Sequence, residues 1–146
     1  MSAPKRVFLI DDDEDDRFIF EEALHELGYA VECDYAPDAT SALNKLQDNN
    51  TPLPDFIFLD LNMPTISGKQ FLATIKQLPR LLHIPIIILT TSENYDDRAE
   101  TQKLGAAHFM IKPHSINRLS HSLDELLSKD IKREPAENNR LASKSK

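Results

Sequence analysis

Short apolar segments of this 146-residue chain are followed directly by side chains that can do chemistry. In chain order, the residues after these segments are Asp11 and Asp12, then Asp60, then Thr90 with Thr91, and finally Lys112. Three carboxylates brought together repel one another, so a raised pKa is expected unless a cation neutralises them. Mg²⁺ prefers such oxygen ligands, while a lysine and a hydroxyl suit an anion held by one of the carboxylates. Because carboxylates are nucleophiles toward phosphoryl groups, these residue types indicate metal-dependent formation of an aspartyl-phosphate.

These side chains meet only if the segments before them are neighbouring parallel strands. Apolar runs alternate along the chain with stretches of helical spacing, such as 20–27. Strands are predicted at 7–10, 29–35, 56–59, 86–89 and 109–111. This alternation predicts an α/β fold with a doubly wound five-stranded parallel sheet, whose ligands bind at the carboxyl ends of the strands. Gly28 and Gly105 are predicted helix ends, and Ser92 is a candidate N-cap.

Composition narrows the class of protein further. Hydrophobic residues make up 40% and charged residues 28%, which is typical of a globular domain. A single cysteine, Cys33, excludes an intramolecular disulfide and a cysteine-rich zinc site. The first apolar run is too short for a signal peptide or a membrane span, so a soluble cytoplasmic protein is expected. The net charge of −7 argues against nucleic acid as a direct ligand.

The charge is unevenly distributed along the chain. Residues 1–128 carry 11 basic and 21 acidic side chains, whereas residues 129–146 carry 6 basic and 3 acidic ones. Six acidic residues are consecutive at 11–16, and the last four are predicted to be an exposed acidic rim at a helix N-terminus. We expect residues 1–128 to form the domain and residues 129–146 to be a polar, disordered tail.

Four motifs at the predicted strand ends resemble the receiver domain of bacterial two-component response regulators. They are an apolar run followed by Asp11 and Asp12, then FLDLNMPTISG, ILTTS and FMIKP. The resemblance implies a flavodoxin-like (βα)5 fold with strand order 2-1-3-4-5. It also implies phosphorylation of an aspartate by a sensor histidine kinase or a histidine phosphotransfer domain. Such regulators are phosphoacceptors that signal through protein contacts and are not conventional enzymes.

The resemblance assigns the acceptor and the metal ligands. Asp60 matches the phosphoacceptor, which also contacts Mg²⁺. Asp12 matches a direct metal ligand, and Asp11 matches its acidic neighbour, which acts largely through water. The backbone carbonyl of Asn62 is expected to complete the metal shell.

The remaining motif residues match the switch. Thr90 corresponds to the hydroxyl that bonds the phosphoryl group, the backbone of Thr91 is expected to contact that group, and Lys112 corresponds to the lysine that pairs with it. The bond between Lys112 and Pro113 resembles the cis peptide of the family. Phe109 stands at the position of a rotating aromatic residue, and it lacks the hydroxyl that a tyrosine would offer.

Two other chemistries are compatible with parts of the sequence. An EF-hand loop would use Asp11, Asp13, Asp15 and Glu22, but its sixth position is Asp16 instead of glycine. A Mg²⁺-dependent phosphatase of the haloacid dehalogenase type also forms an aspartyl-phosphate. That enzyme needs a second aspartate two residues after the nucleophile, where this chain has Asn62.

The expected output is contact with another protein. The 18 residues after Ser128 are too few for a helix-turn-helix domain, so no output through DNA is expected from them. Single-domain regulators of this kind include some that serve phytochrome-type kinases. A homodimer is also compatible with the sequence, and the expected downstream target is a protein.

Overall fold

Five parallel strands form the centre of the computed structural model, which describes residues 5–63, 66–91 and 94–131, with side chains up to 128. The strands are β1 (Lys5–Ile10), β2 (Val31–Ala36), β3 (Phe56–Leu59), β4 (Ile86–Thr90) and β5 (His108–Ile111). Their order in the sheet is β2-β1-β3-β4-β5, and all neighbours pair in parallel. The predicted fold class and strand order are confirmed.

A helix follows each strand. The helices are α1 (Glu14–His25), α2 (Ala39–Leu46), α3 (Gly68–Ile75), α4 (Tyr95–Lys103) and α5 (Ile116–Ile131). Gly105 has a φ of 106° just after α4, so the predicted role of this glycine in ending the helix is confirmed. By contrast, α1 ends at His25, before Gly28.

Two of the sequence-based boundaries differ from the structure. The N-cap of α4 is Asn94, whose side chain accepts from the Asp96 N–H, whereas the predicted cap, Ser92, lies outside the described residues. α5 continues to Ile131, so the backbone of residues 129–131, at the start of the predicted tail, is helical. Residues 132–146 of the predicted tail lie outside the described part of the chain.

The sheet has a separate apolar layer on each face. Along β1, Phe8 and Ile10 pack toward α2 and α3, whereas Val7 and Leu9 pack toward α1 and α5. Alternate residues of a strand point to opposite faces, so fully apolar strands require cover on both sides. Helices packed on both faces of the sheet therefore hold in place the strands whose ends carry the polar residues. In the described ranges, no helix is both long enough and apolar enough to cross a membrane.

Candidate functional site

The predicted polar residues converge at the carboxyl edge of the sheet. Asp11 follows β1, Asp60 follows β3, Thr90 ends β4 and Lys112 follows β5. Main-chain hydrogen bonds continue the strand ladder past its ends, with the Asp60 N–H bonding the Ile10 carbonyl at 3.0 Å and the Lys112 N–H bonding the Thr90 carbonyl at 2.8 Å. The sheet therefore holds the backbone of the site in a fixed register.

Three carboxylates form the acidic part of the site. Asp11 and Asp60 are buried, at 1% and 5% exposure, while Asp12 is exposed. One oxygen from each carboxylate lies within 4.8 Å of the others. This all-oxygen donor set, open to solvent on the Asp12 side, fits a hard divalent cation such as Mg²⁺.

Lys112 supplies the positive charge of the site. Its Nζ atom lies 2.8 Å from Asp11 Oδ2, 2.6 Å from Asp16 Oδ2 and 3.8 Å from Asp60 Oδ2. Burial lowers the pKa of Lys112, but the hydrogen bonds to Asp11 and Asp16 outweigh this effect and raise it. The ammonium group is therefore charged, and its two hydrogen-bonded carboxylates are Asp11 and Asp16.

The environment of Asp60 opposes ionisation of its carboxyl group. Burial is the largest cause and raises its pKa to about 6, and the charge of Asp11 acts in the same direction. Lys112 and the hydrogen bond from the Asn62 N–H act against this rise. Burial also raises the pKa of Asp11. A perturbed carboxylate that faces a lysine in a cluster of acids is typical of a functional site.

A second group of side chains lies on the β4–β5 side. Thr90 is fully buried, and its Oγ1 accepts a hydrogen bond of 3.5 Å from Asn62 Nδ2. Thr91 is exposed. Phe109 is half-buried, and the Arg98 guanidinium of α4 lies 5.1 Å from the centre of its ring. The aromatic ring is therefore in contact with α4, and Thr90 is in contact with the loop that follows Asp60.

One sequence-based expectation about this region is wrong, and one alternative is excluded. Within the described residues there is no cis peptide bond, so the bond between Lys112 and Pro113 is trans. The trans form is the lower-energy isomer of most bonds to proline, and no feature of the sequence itself required the cis isomer. The EF-hand alternative also fails, because Asp13 caps α1 and Asp15 lies inside that helix instead of in a metal-binding loop.

Asp16 is a site residue that sequence reasoning missed. It was expected in the exposed rim, yet its carboxylate forms the shortest contact of Lys112. Asp13 as N-cap places Asp16 third in the helix, and helical side chains lean toward the N-terminus of their helix. If the N-cap of α1 had been known to be Asp13, the side chain of Asp16 would have been predicted to lie near the carboxyl ends of the strands.

The response regulator receiver domain model matches residues 7–124 of the chain. The chain belongs to this family. This receiver domain is 34% identical over 120 residues to the response regulator Rcp1 of Synechocystis, an alignment that covers 80% of this chain and 82% of Rcp1. It is 27% identical to the chemotaxis protein CheY of Pseudomonas aeruginosa, with 85% and 97% of the two chains covered.

Solved structures agree with this assignment. The phosphorylated cyanobacterial phytochrome response regulator RcpA superposes on this receiver domain with a TM-score of 0.80 at 30% identity, covering 89% of this chain and 96% of RcpA. The Mn²⁺-bound form of Rcp1 gives a TM-score of 0.77 at 31% identity, covering 93% and 99%. Receiver domains are generally signalling proteins and not conventional enzymes, which argues against the phosphatase alternative.

Proposed function

We propose that this receiver domain accepts a phosphoryl group on Asp60 from the phosphohistidine of a sensor histidine kinase or a phosphotransfer domain. The observation that supports this most directly is the position of Asp60, a buried carboxylate that lies among two further acids and 3.8 Å from the Lys112 ammonium. Asp11, Asp12, Asp60 and the backbone carbonyl of Asn62 are the proposed Mg²⁺ ligands. A cytoplasmic location, shared with the kinase, is part of the same proposal.

The reaction transfers a phosphoryl group from nitrogen to oxygen. A carboxylate oxygen of Asp60 attacks the phosphorus atom, and the bond from phosphorus to the donor imidazole nitrogen breaks with its electron pair on that nitrogen. Mg²⁺, when bound, offsets negative charge on the phosphoryl oxygens. Lys112 offers an ammonium group to the same oxygens, and the Thr90 hydroxyl offers a donor after a shift toward Asp60.

The proposed output is a change in protein contacts. The phosphorylated side chain carries about −1.5 to −2 charges beside Thr90 and Lys112, in place of the single negative charge of the Asp60 carboxylate, and this change biases an equilibrium between two conformations. Phe109 lies on β5, two residues before the end of that strand, and Arg98 of α4 contacts its ring. We propose that the surface of α4, β5 and α5 transmits the signal to a downstream protein or a second copy of the chain. The similarity to RcpA favours a phytochrome-type kinase as the phosphodonor.

Acetyl phosphate, a small-molecule donor, tests the acceptor assignment without the kinase. The full chain is incubated with acetyl phosphate and Mg²⁺, and its intact mass is measured. We expect the wild type to gain one phosphoryl group and Asp60→Asn to gain none. Chelation of Mg²⁺ should abolish labelling of the wild type.

Asp15→Asn provides a matched control. Asp15 is an exposed carboxylate of the same acidic run, and it lies in α1. This variant should be labelled like the wild type. Equal labelling of the wild type and Asp60→Asn, or no labelling of the wild type by either acetyl phosphate or a competent kinase, would contradict the proposal.

A further inference from the structure

We infer that Asp16 is a positioning residue that holds Lys112 away from the phosphoacceptor before phosphorylation. The inference rests on the proposed function, because it concerns how Lys112 reaches a phosphoryl group on Asp60. Lys112 Nζ is hydrogen-bonded to Asp16 at 2.6 Å and to Asp11 at 2.8 Å, but lies 3.8 Å from Asp60. The lysine is thus held by two carboxylates that are not the acceptor.

The start of α1 is built so that Asp16 reaches the lysine. The Asp13 carboxylate caps the helix by accepting from the Asp15 and Asp16 N–H groups, at 2.8 and 3.2 Å. This cap fixes Asp16 in the first helical turn, where side chains lean back toward the helix N-terminus. Arg17 connects the same helical turn to the site by a hydrogen bond, because its Nη1 donates to the Asp11 carbonyl at 2.8 Å.

The two carboxylates around Lys112 differ in what else they do. Asp11 is buried, accepts a hydrogen bond from the Asp13 N–H and belongs to the three-carboxylate cluster. The Asp16 side chain is 32% exposed and belongs to the cluster only through Lys112. A phosphoryl group on Asp60 would compete with Asp16 for the same ammonium hydrogens. Asp16 therefore favours the conformation in which Lys112 is not engaged with Asp60.

The affinity for beryllofluoride, a phosphoryl mimic, measures this competition directly. We expect Asp16→Asn to bind beryllofluoride about fivefold more tightly than the wild type at saturating Mg²⁺, the factor that a partly exposed ion pair commonly supplies. Calorimetric titration of the full chain gives the dissociation constant. Saturating Mg²⁺ removes differences in metal affinity from the comparison.

The Asp15→Asn variant distinguishes the direct contact with Lys112 from a general effect of negative charge. It removes the same charge from the same helical turn, but Asp15 makes no ion pair with Lys112 in the described structure. Long-range electrostatics would change the beryllofluoride affinity of both variants alike. Because salt screens such interactions between exposed charges, we expect the dissociation constant of Asp15→Asn to stay within twofold of the wild-type value. Asp16→Glu keeps the carboxylate within reach of Lys112 and should restore wild-type affinity.

The side-chain ammonium signal of Lys112 in ¹H–¹⁵N NMR spectra provides a readout that a merely structural role would not change. Assigned with Lys112→Arg, this signal should shift in Asp16→Asn before any beryllofluoride is added and stay in place in Asp15→Asn. Equal affinities and equal Lys112 signals in the two asparagine variants, or weaker binding by Asp16→Asn, would overturn the inference. Failure of the wild type to bind beryllofluoride would instead contradict the proposed function.

Discussion

Replacement of the phosphoacceptor by its neutral isostere should stabilise this domain. The pKa of Asp60 is raised from 3.8 to about 6 by burial, so the folded state disfavours the ionised carboxylate. Linkage converts this difference to about 3 kcal/mol at pH 7. Burial of the asparagine amide offsets part of this gain, so we expect Asp60→Asn to raise the free energy of unfolding by about 1–3 kcal/mol. Lys112 is hydrogen-bonded to Asp11 and Asp16 and not to Asp60, so we expect both bonds to remain in this variant.

The pH dependence of this effect follows from the direction of the shift. Because the folded pKa exceeds the unfolded one, the folded state binds more protons between pH 3.8 and about 6, and wild-type stability falls as pH rises through that window. The advantage of Asp60→Asn should thus be largest above pH 6 and should vanish near pH 4. Thermal unfolding followed by circular dichroism, with a chelator present, should show this advantage as an increase in Tm of roughly 3–10 °C at pH 7.

Two outcomes would refute this reasoning. One is an Asp60→Asn variant no more stable than the wild type at pH 7, which would mean that burial does not penalise the carboxylate. The other is a stability difference that stays constant from pH 7 to pH 4, which would assign the gain to something other than charge. Asp15→Asn, which removes an exposed carboxylate, should change Tm little and without this pH dependence.

Two further predictions concern the elements around the site. Gly68→Ala should lower the free energy of unfolding by about 1–3 kcal/mol in chemical denaturation and slow labelling by acetyl phosphate. The added Cβ would lie 2.7 Å from both the Asp60 carbonyl oxygen and Leu61 Cα, so the backbone next to the acceptor would have to shift. Stability and labelling equal to those of the wild type would contradict this. Lys69→Met should lower the free energy of unfolding by about 1 kcal/mol at low salt and by less at 1 M salt, because Lys69 forms ion pairs with Asp97 at 2.6 Å and Glu100 at 2.8 Å. A loss of stability that does not depend on salt would assign the effect to packing instead.

Strand position was enough to predict most of the site. Asp11, Asp60, Thr90 and Lys112 each follow or end an apolar strand, and the parallel order of those strands brings them to one edge. Such a prediction needs only the alternation of elements and the convergence of carboxyl ends in a parallel sheet. The acidic cluster of the structure therefore contains the three aspartates that the motifs indicate.

Features that depend on local backbone geometry were not predictable in the same way. The contact of Asp16 with Lys112 depends on where α1 begins, and an acidic run offers several equivalent cap residues. Asn94 replaces the expected cap of α4 for the same reason, as the segment before that helix contains more than one capping side chain. The isomer of the bond before Pro113 had no sequence signal of its own.

A crystal structure of the full chain with Mg²⁺ and beryllofluoride tests directly whether Asp60 is the phosphoacceptor. We predict density for the beryllofluoride on an Asp60 oxygen, a cation bound by Asp12 and Asp60, and Lys112 moved from Asp16 to within hydrogen-bonding distance of a fluorine. Density for the anion elsewhere, or an Asp60 that binds neither ion at saturating concentrations, would contradict it.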